Sequence, residues 1–371
     1  MRDIGVVIGT RPEAIKMMPV IRSFEEAGLK PKIFVTGQHR ELLSPILSEL
    51  NLAATENLDL MEDDQSLGDL SSRILKNMQS ALRRHRPDLL LVQGDTTSAA
   101  MSALTAFYED IRVAHIEAGL RTFNPRNPFP EEMNRRLVAC LADIHFAPTA
   151  QAEENLLKEG IESDHIHVVG NTVVDALFYS RDHLVSRLSR DFQLQEAMDL
   201  GRSIVLVTGH RRESFGADLA SICEGIRKIA DEFKDQVEVI YPVHLNPNVQ
   251  SGVLPILSSA PNVRLTRPLS YLRFIQVMLH SKLIITDSGG VQEEAAALGI
   301  PVLVTRRTCE RLEAVDAGIS QLVGPDAEEI FNAAEELLTN ESVYLKRAVP
   351  SLVFGDGHAS RRIVKVLLKE E

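Results

Sequence analysis

Short runs of aliphatic and β-branched residues alternate along this chain with longer segments whose apolar positions recur at helical spacing. IGVVIG (4–9), KIFVTG (32–37), LLLVQGD (89–95), VAHIEAG (113–119) and IHFAP (144–148) read as buried parallel strands. The stretches EAIKMMPVIRSFEEAG and SLGDLSSRILKNMQSALRRH between them carry the helical period. The alternation then begins again with SIVLVTGH (203–210), VEVIYPVH (237–244), NVRLTRP (262–268), KLIITDSGG (282–290) and IPVLVT (300–305). Strands alternating with helices imply βαβ units and a parallel sheet covered on both faces. The expected class is therefore α/β, with two doubly wound, Rossmann-like domains.

The first domain is expected to span residues 1–170 and the second 171–355. The charge-rich segment DALFYSRDHLVSRLSRDFQLQEAMDLG reads as a helical connection, and a last helix over 356–371 is expected to return to the first domain. A chain of 371 residues exceeds the size at which a single core stops growing, which agrees with two domains. The net charge of −12 argues against general nucleic-acid binding but leaves room for a small anionic ligand met by local arginines. Three widely spaced cysteines suggest neither a disulfide framework nor a zinc site. With no long apolar stretch, the expectation is a cytoplasmic protein without a membrane span.

In open parallel sheets, ligands bind beyond the carboxyl ends of the strands. Arg11, Asp95, Glu117, His210 and Ser288 all fall there, and two facing domains would bring both sets into one cleft. TDSGGVQEEAAALG (286–299) runs a strand into Ser288, Gly289 and Gly290 and then a helix, a geometry that favours phosphate. Glu294, one turn into that helix, suits ribose hydroxyls; an ordinary strand-to-helix turn is the alternative. GTRPEAIK (9–16) makes a similar turn, with Arg11 and Lys16 as candidates for a diphosphate. His210 follows a strand and precedes two arginines, and imidazole exchanges protons near neutral pH; His244 is a second candidate. HIEAGLRTFNPRNPFPEEMNRR (115–136) gathers Glu117, Glu131 and Glu132 with Arg121, Arg126, Arg135 and Arg136. These acids are either a solvated surface or a group that moves protons, and spacing alone does not choose. A Walker loop and a GxGxxG fingerprint are both absent.

Taken together, GTRPEAIKMMPVI, VTGQHRELL, VQGDTTS, IEAGLRT, PFPEEMNRR, GNTVVDAL, VTGHRRESFG, YPVHLNPNV, TDSGGVQEEA and FGDG-ASRRI resemble the non-hydrolysing UDP-N-acetylglucosamine 2-epimerases, in order from residue 5 to about residue 365. The resemblance implies the two-domain architecture of one large glycosyltransferase class (GT-B) and a homodimer interconverting UDP-GlcNAc and UDP-ManNAc. It implies an acid/base set at Asp95, Glu117, Glu131 and His210, with Glu132 outside it. UDP contacts are implied at Arg11, Lys16, Phe274, Ser288, Gly289, Gly290, Glu294 and Arg311. The implied route eliminates UDP to give 2-acetamidoglucal and then re-adds it, with no metal or nicotinamide. A second UDP-GlcNAc acting as activator is implied at Gln38, Gln65, Glu132 and His244, although an arginine often found before the Gln65 position is Asp64 here.

The family's usual R-D-x-T-E-R-P-E stands here as RRTCERLE (306–313), placing Arg307, Cys309 and Leu312 at three familiar positions. Tolerated drift explains that change, and so does a different sugar, such as a UDP-2,3-diacetamido uronate met by the extra arginine. Three further rivals stay open: a hydrolysing epimerase releasing ManNAc and UDP, a glycosyltransferase of the same fold, and a sugar-nucleotide-binding regulator.

Overall fold

The computed structural model describes residues 3–37, 40–60, 65–189, 192–209, 216–307 and 311–369. The chain divides into two compact units, residues 1–176 with 355–371, and residues 177–354. Both are built on parallel sheets.

In the first unit, β1 (Ile4–Ile8), β2 (Lys32–Val35), β3 (Glu56–Asn57), β4 (Leu89–Gln93), β5 (Arg112–Ile116), β6 (Ile144–Ala147) and β7 (Ile166–Val168) lie in the order β3-β2-β1-β4-β5-β6-β7. Helices α1 (Arg11–Glu26), α2 (Arg40–Glu49), α3 (Leu67–His85), α4 (Thr97–Tyr108), α5 (Glu131–Leu141), α6 (Ala150–Lys158) and the start of α7 (Thr172–Tyr179) connect and cover the strands. Strand order reverses between β1 and β4, the switch point at which such sheets bind ligands. On one face, Val7, Leu90, Val92 and Val113 pack with Leu70, Ile74 and Met78 of α3 and with the alanines of α4.

In the second unit, β8 (Ser203–Thr208), β9 (Val237–Pro242), β10 (Val263–Thr266), β11 (Ser281–Thr286), β12 (Val302–Val304) and β13 (Ser320–Leu322) lie in the order β10-β9-β8-β11-β12-β13. The helices here are α8 (Phe192–Asp199), α9 (Ala217–Glu232), α10 (Pro247–Leu257), α11 (Tyr271–Leu279), α12 (Gly289–Leu298), α13 (Leu312–Asp316), α14 (Ala327–Thr339) and α15 (Glu341–Arg347). The switch point falls between β8 and β11. Val205, Val207, Val239 and Ile285 face α9 and α14 on one side, and Leu206, Ile284 and Val304 face α11 and α12 on the other.

All ten expected strands are present, and each ends one to four residues before the run read from the sequence. The missing residues are the turns themselves: Gly37, Gly94 and Gly119 take φ values of 71°, 70° and 88°, which end a strand. Three edge strands, β3, β7 and β13, are only two or three residues long and escape the pattern. The connecting segment is α7, a wide turn over Ser180–Leu184, a tight turn over Val185–Arg187, and then α8. The last helix, α16 (Ala359–Lys369), packs against α1. Among the described residues no helix is long and apolar enough to cross a membrane.

Candidate active site

The first unit gathers its polar side chains beyond β1, β4 and β5. After β1 the chain passes through Gly9, where there is no room for a side chain: a Cβ there would sit 2.4 Å from Ser98 Oγ. Thr10 caps α1, Arg11 is its first residue and Pro12 follows, a position that lacks any need of an N–H. Beyond β4, Gly94 turns the chain into Asp95. One carboxylate oxygen of Asp95 receives Arg135 Nε at 2.8 Å, and its carbonyl receives Asn134 Nδ2 at 2.9 Å. Helix α5 thus reaches back from the far end of the 115–136 stretch to hold Asp95.

Glu117, just after β5, is buried and has a φ of +64°. A non-glycine residue in that region is strained by roughly 1–3 kcal/mol and persists only where its surroundings impose it. Its Oε2 receives Lys16 Nζ at 2.5 Å and the amide of Gln93 from β4. Lys16, read from the sequence as a diphosphate contact, is therefore an ion-pair partner of Glu117 in this structure. Glu131, half-buried, opens α5, where the helix dipole favours a carboxylate.

Glu132 behaves differently. It is fully buried, and its two oxygens receive the backbone N–H groups of Thr122 and Phe123, each at 3.0 Å, with Arg135 Nη1 at 3.3 Å. Arg121 is buried and forms a two-pronged pair with Glu159 at 2.8 and 2.6 Å. The stretch thus divides by role. Glu132, Arg121 and Arg135 fold the loop, while Glu117 and Glu131 stand at a strand end and a helix end, as Asp95 does beyond β4. Beneath them His115 Nε2 lies 2.8 Å from the Gly94 carbonyl. Burial, then neighbouring His145, pushes its imidazole down to about 3, so it stays neutral and supports the Gly94–Asp95 turn.

In the second unit, Thr286 Oγ1 at the end of β11 accepts the N–H of Ser288 at 3.0 Å and meets Thr208 Oγ1 at 2.5 Å. This shapes the turn into α12, whose first N–H groups form an anion-favouring end. A Cβ on Gly289 would lie 3.0 Å from the Arg311 guanidinium carbon, whereas one on Gly290 would meet nothing within 4 Å. Arg311 is held over that glycine by a buried pair with Glu293 at 2.8 Å. Glu294 is buried and accepts Tyr271 OH at 3.2 Å; Phe274, on the same helix as Tyr271, packs on the adjoining core. Arg307, the extra arginine of RRTCERLE, is exposed and paired with Asp218 at 2.9 Å, which gives it a partner other than an acidic sugar.

His210, Gln38, Cys309 and Asp64 lie outside the described residues. Gln65 belongs to the first unit, just before α3, while His244 belongs to the second and accepts the Asn246 N–H on Nδ1 at 3.1 Å. Sequence reasoning missed Gln93 and Glu13, and it named Arg135 without its pairing to Asp95. Only Glu13 had a local signal, the T-x-x-E spacing of a capping box in TRPE.

The family model described as UDP-N-acetylglucosamine 2-epimerase matches residues 22–368. A UDP-N-acetylglucosamine 2-epimerase from Campylobacter jejuni is 43% identical over 378 residues, covering 100% of this chain and 98% of the relative. The crystal structure of UDP-GlcNAc 2-epimerase from Neisseria meningitidis bound to UDP-GlcNAc superposes with a TM-score of 0.93 at 42% identity, covering 99% of this chain and 100% of that one. A glycotransferase of kitacinnamycin matches at a TM-score of 0.66 and 12% identity, over 100% of this chain and 99% of that one, a likeness of fold alone.

Proposed function

Since the chain belongs to the UDP-N-acetylglucosamine 2-epimerase family, we propose that it interconverts UDP-GlcNAc and UDP-ManNAc by eliminating and re-adding UDP. The observation that carries this reading is the set of Asp95, Glu117 and Glu131 at strand and helix ends, two of them held by cations from other elements. A binding module has no need of a strained, buried carboxylate such as Glu117.

The hydrogen at C2 of the sugar adjoins no carbonyl, so direct abstraction would leave an unstabilised carbanion. Departure of UDP instead builds positive charge at C1, which makes the C2 proton removable and gives 2-acetamidoglucal. One carboxylate takes that proton as the C1–oxygen bond breaks, and the electron pair leaves with UDP. In return, a second group protonates C2 from the opposite face while UDP re-forms the C1–oxygen bond. Asp95, Glu117 and Glu131 supply the acid/base groups, with His210 as a further member. The α12 N-terminus, Ser288, Gly289, Gly290 and Arg311 receive the departing diphosphate, with Arg11 as a further contact; Glu294 receives ribose and Phe274 lines the uracil pocket. Lys16, a further diphosphate contact in this reading, also holds Glu117.

The proposal includes a cytoplasmic homodimer, with a second UDP-GlcNAc as activator at Gln38, Gln65, Glu132 and His244. The buried state of Glu132 restricts its part there to shaping the loop.

Proton and phosphorus NMR of the protein with UDP-GlcNAc in deuterated water tests the reading. UDP-ManNAc carrying deuterium at C2, with little free UDP, is expected. Accumulating ManNAc and UDP would make the protein a hydrolysing epimerase, and turnover only with an added acceptor would make it a transferase.

A further inference from the structure

Glu13 is a carboxylate to which the elimination chemistry gives no task, yet it is buried almost completely, at 2% exposure. Glutamate is almost never buried to that degree without a partner. Here all its partners are neutral: Oε2 receives the N–H of Gly9 at 2.5 Å and of Thr10 at 2.7 Å, and Oε1 receives Thr96 Oγ1 at 2.5 Å. A capping-box glutamate ordinarily reaches only the start of its own helix, from the surface. This one also crosses to the turn after β4, the strand paired with β1 at the switch point.

The Thr96 hydroxyl fixes the direction of the contact. It donates to Glu13 while accepting the Ala99 N–H at 3.0 Å, so the cap of α4 and the cap of α1 share one chain of hydrogen bonds. The residues flanking that chain are Arg11, next to Thr10, and Asp95, next to Thr96.

We propose that Glu13 is a positioning residue that latches the turn after β1 to the turn after β4, and thereby sets Asp95 and Arg11 for the epimerisation proposed above, on which the catalytic part of this inference rests. Glu13→Ala removes the latch. Glu13→Gln keeps it, because the amide oxygen accepts the two N–H groups and the amide nitrogen donates to the Thr96 hydroxyl.

The test combines steady-state kinetics on UDP-GlcNAc, calorimetric titration with UDP, and backbone hydrogen exchange of the full-length protein. Glu13→Ala is expected to lower kcat at least tenfold and to weaken UDP by a smaller factor, through Arg11 alone, and Glu13→Gln to stay within threefold of wild type in both. Exchange in Glu13→Ala is expected to rise at residues 9–13 and also at 97–100, far away in sequence. If Glu13→Ala fails to fold, Thr96→Val answers in reverse, with faster exchange expected at Gly9 and Thr10. Unchanged kcat in Glu13→Ala, or an exchange rise confined to 9–13, would overturn the latch. An inactive wild type would instead overturn the epimerase reading, while exchange, which needs no turnover, would still decide the latch.

Discussion

Glu117 combines burial, a left-handed backbone and a lysine at 2.5 Å, so its carboxylate is held in one place and in one orientation. General acid–base groups contribute about 10²–10⁴-fold to a rate. Glu117→Gln and Glu131→Gln are therefore expected to lower kcat on UDP-GlcNAc by at least about 10²-fold, while calorimetry still finds UDP bound. A variant with near-normal kcat would remove that carboxylate from the mechanism. Glu13 makes a different statement at the same scale. Burial, working against hydrogen bonds from Thr96, Gly9 and Thr10, pushes its carboxyl from 4.5 up to about 7. The folded protein then holds this proton more tightly than the unfolded chain, so its contribution to stability is full below about pH 4.5 and is lost as pH rises through about 7. Urea unfolding at pH 5, 6, 7 and 8 should show wild type losing up to about 3 kcal/mol relative to Glu13→Gln across that window. A pH-independent difference would contradict the shift.

At the scale of elements, α12 separates folding from binding in two adjacent glycines. Gly289 lies under the Arg311 guanidinium, but Gly290 faces open space, with no backbone angle that demands glycine. An alanine inside a helix gains up to about 1 kcal/mol over glycine. Gly290→Ala is thus expected to leave the thermal midpoint unchanged or raised while weakening UDP at least tenfold, because the added methyl occupies the approach to the helix end. Gly289→Ala is expected to lower both, by displacing Arg311 from Glu293. Equal UDP affinity in Gly290→Ala would take the diphosphate away from this turn. The same elements show what the sequence could reveal. Asp95, Glu117 and Ser288 were legible because an apolar run ending in a small or acidic residue marks a strand's carboxyl end. The partners were not legible: Lys16 meets Glu117 across 101 positions and Arg135 meets Asp95 across 40, and no local pattern encodes such pairs. Nor did spacing distinguish Glu131 from Glu132, whose difference lies in the loop backbone that Glu132 ties down. The edge strands β3 and β7 were hidden because their pairing comes from neighbouring strands.

At the scale of the whole molecule, the chain leaves the first unit after Ala176 and re-enters it at Gly355. Asp175, buried on α7, accepts the N–H groups of Ala359 at 3.1 Å and Ser360 at 2.7 Å, and the Ser360 hydroxyl at 2.6 Å. It therefore serves as the cap of α16 from 184 positions away. Gly355 has a φ of +130°, and a Cβ there would lie 3.2 Å from the Asn171 nitrogen, so the returning chain takes a path closed to other residues. Ile363, Val364 and Leu367 of α16 are then buried, each worth about 1.5–3 kcal/mol of apolar burial. Without Asp175 the end of α16 keeps buried donors unsatisfied, at about 1–3 kcal/mol for each group. Asp175→Ala should consequently lower the onset of thermal unfolding by roughly 5–10 °C, since each kcal/mol moves a unit of this size by about 2–4 °C. Below that onset its kcat on UDP-GlcNAc should match wild type, because Asp175 touches none of the groups assigned to the reaction. A variant with an unchanged midpoint would mean that α16 is held by its apolar face alone, and a variant that melts normally but loses kcat would place the return of the chain within the catalytic machinery.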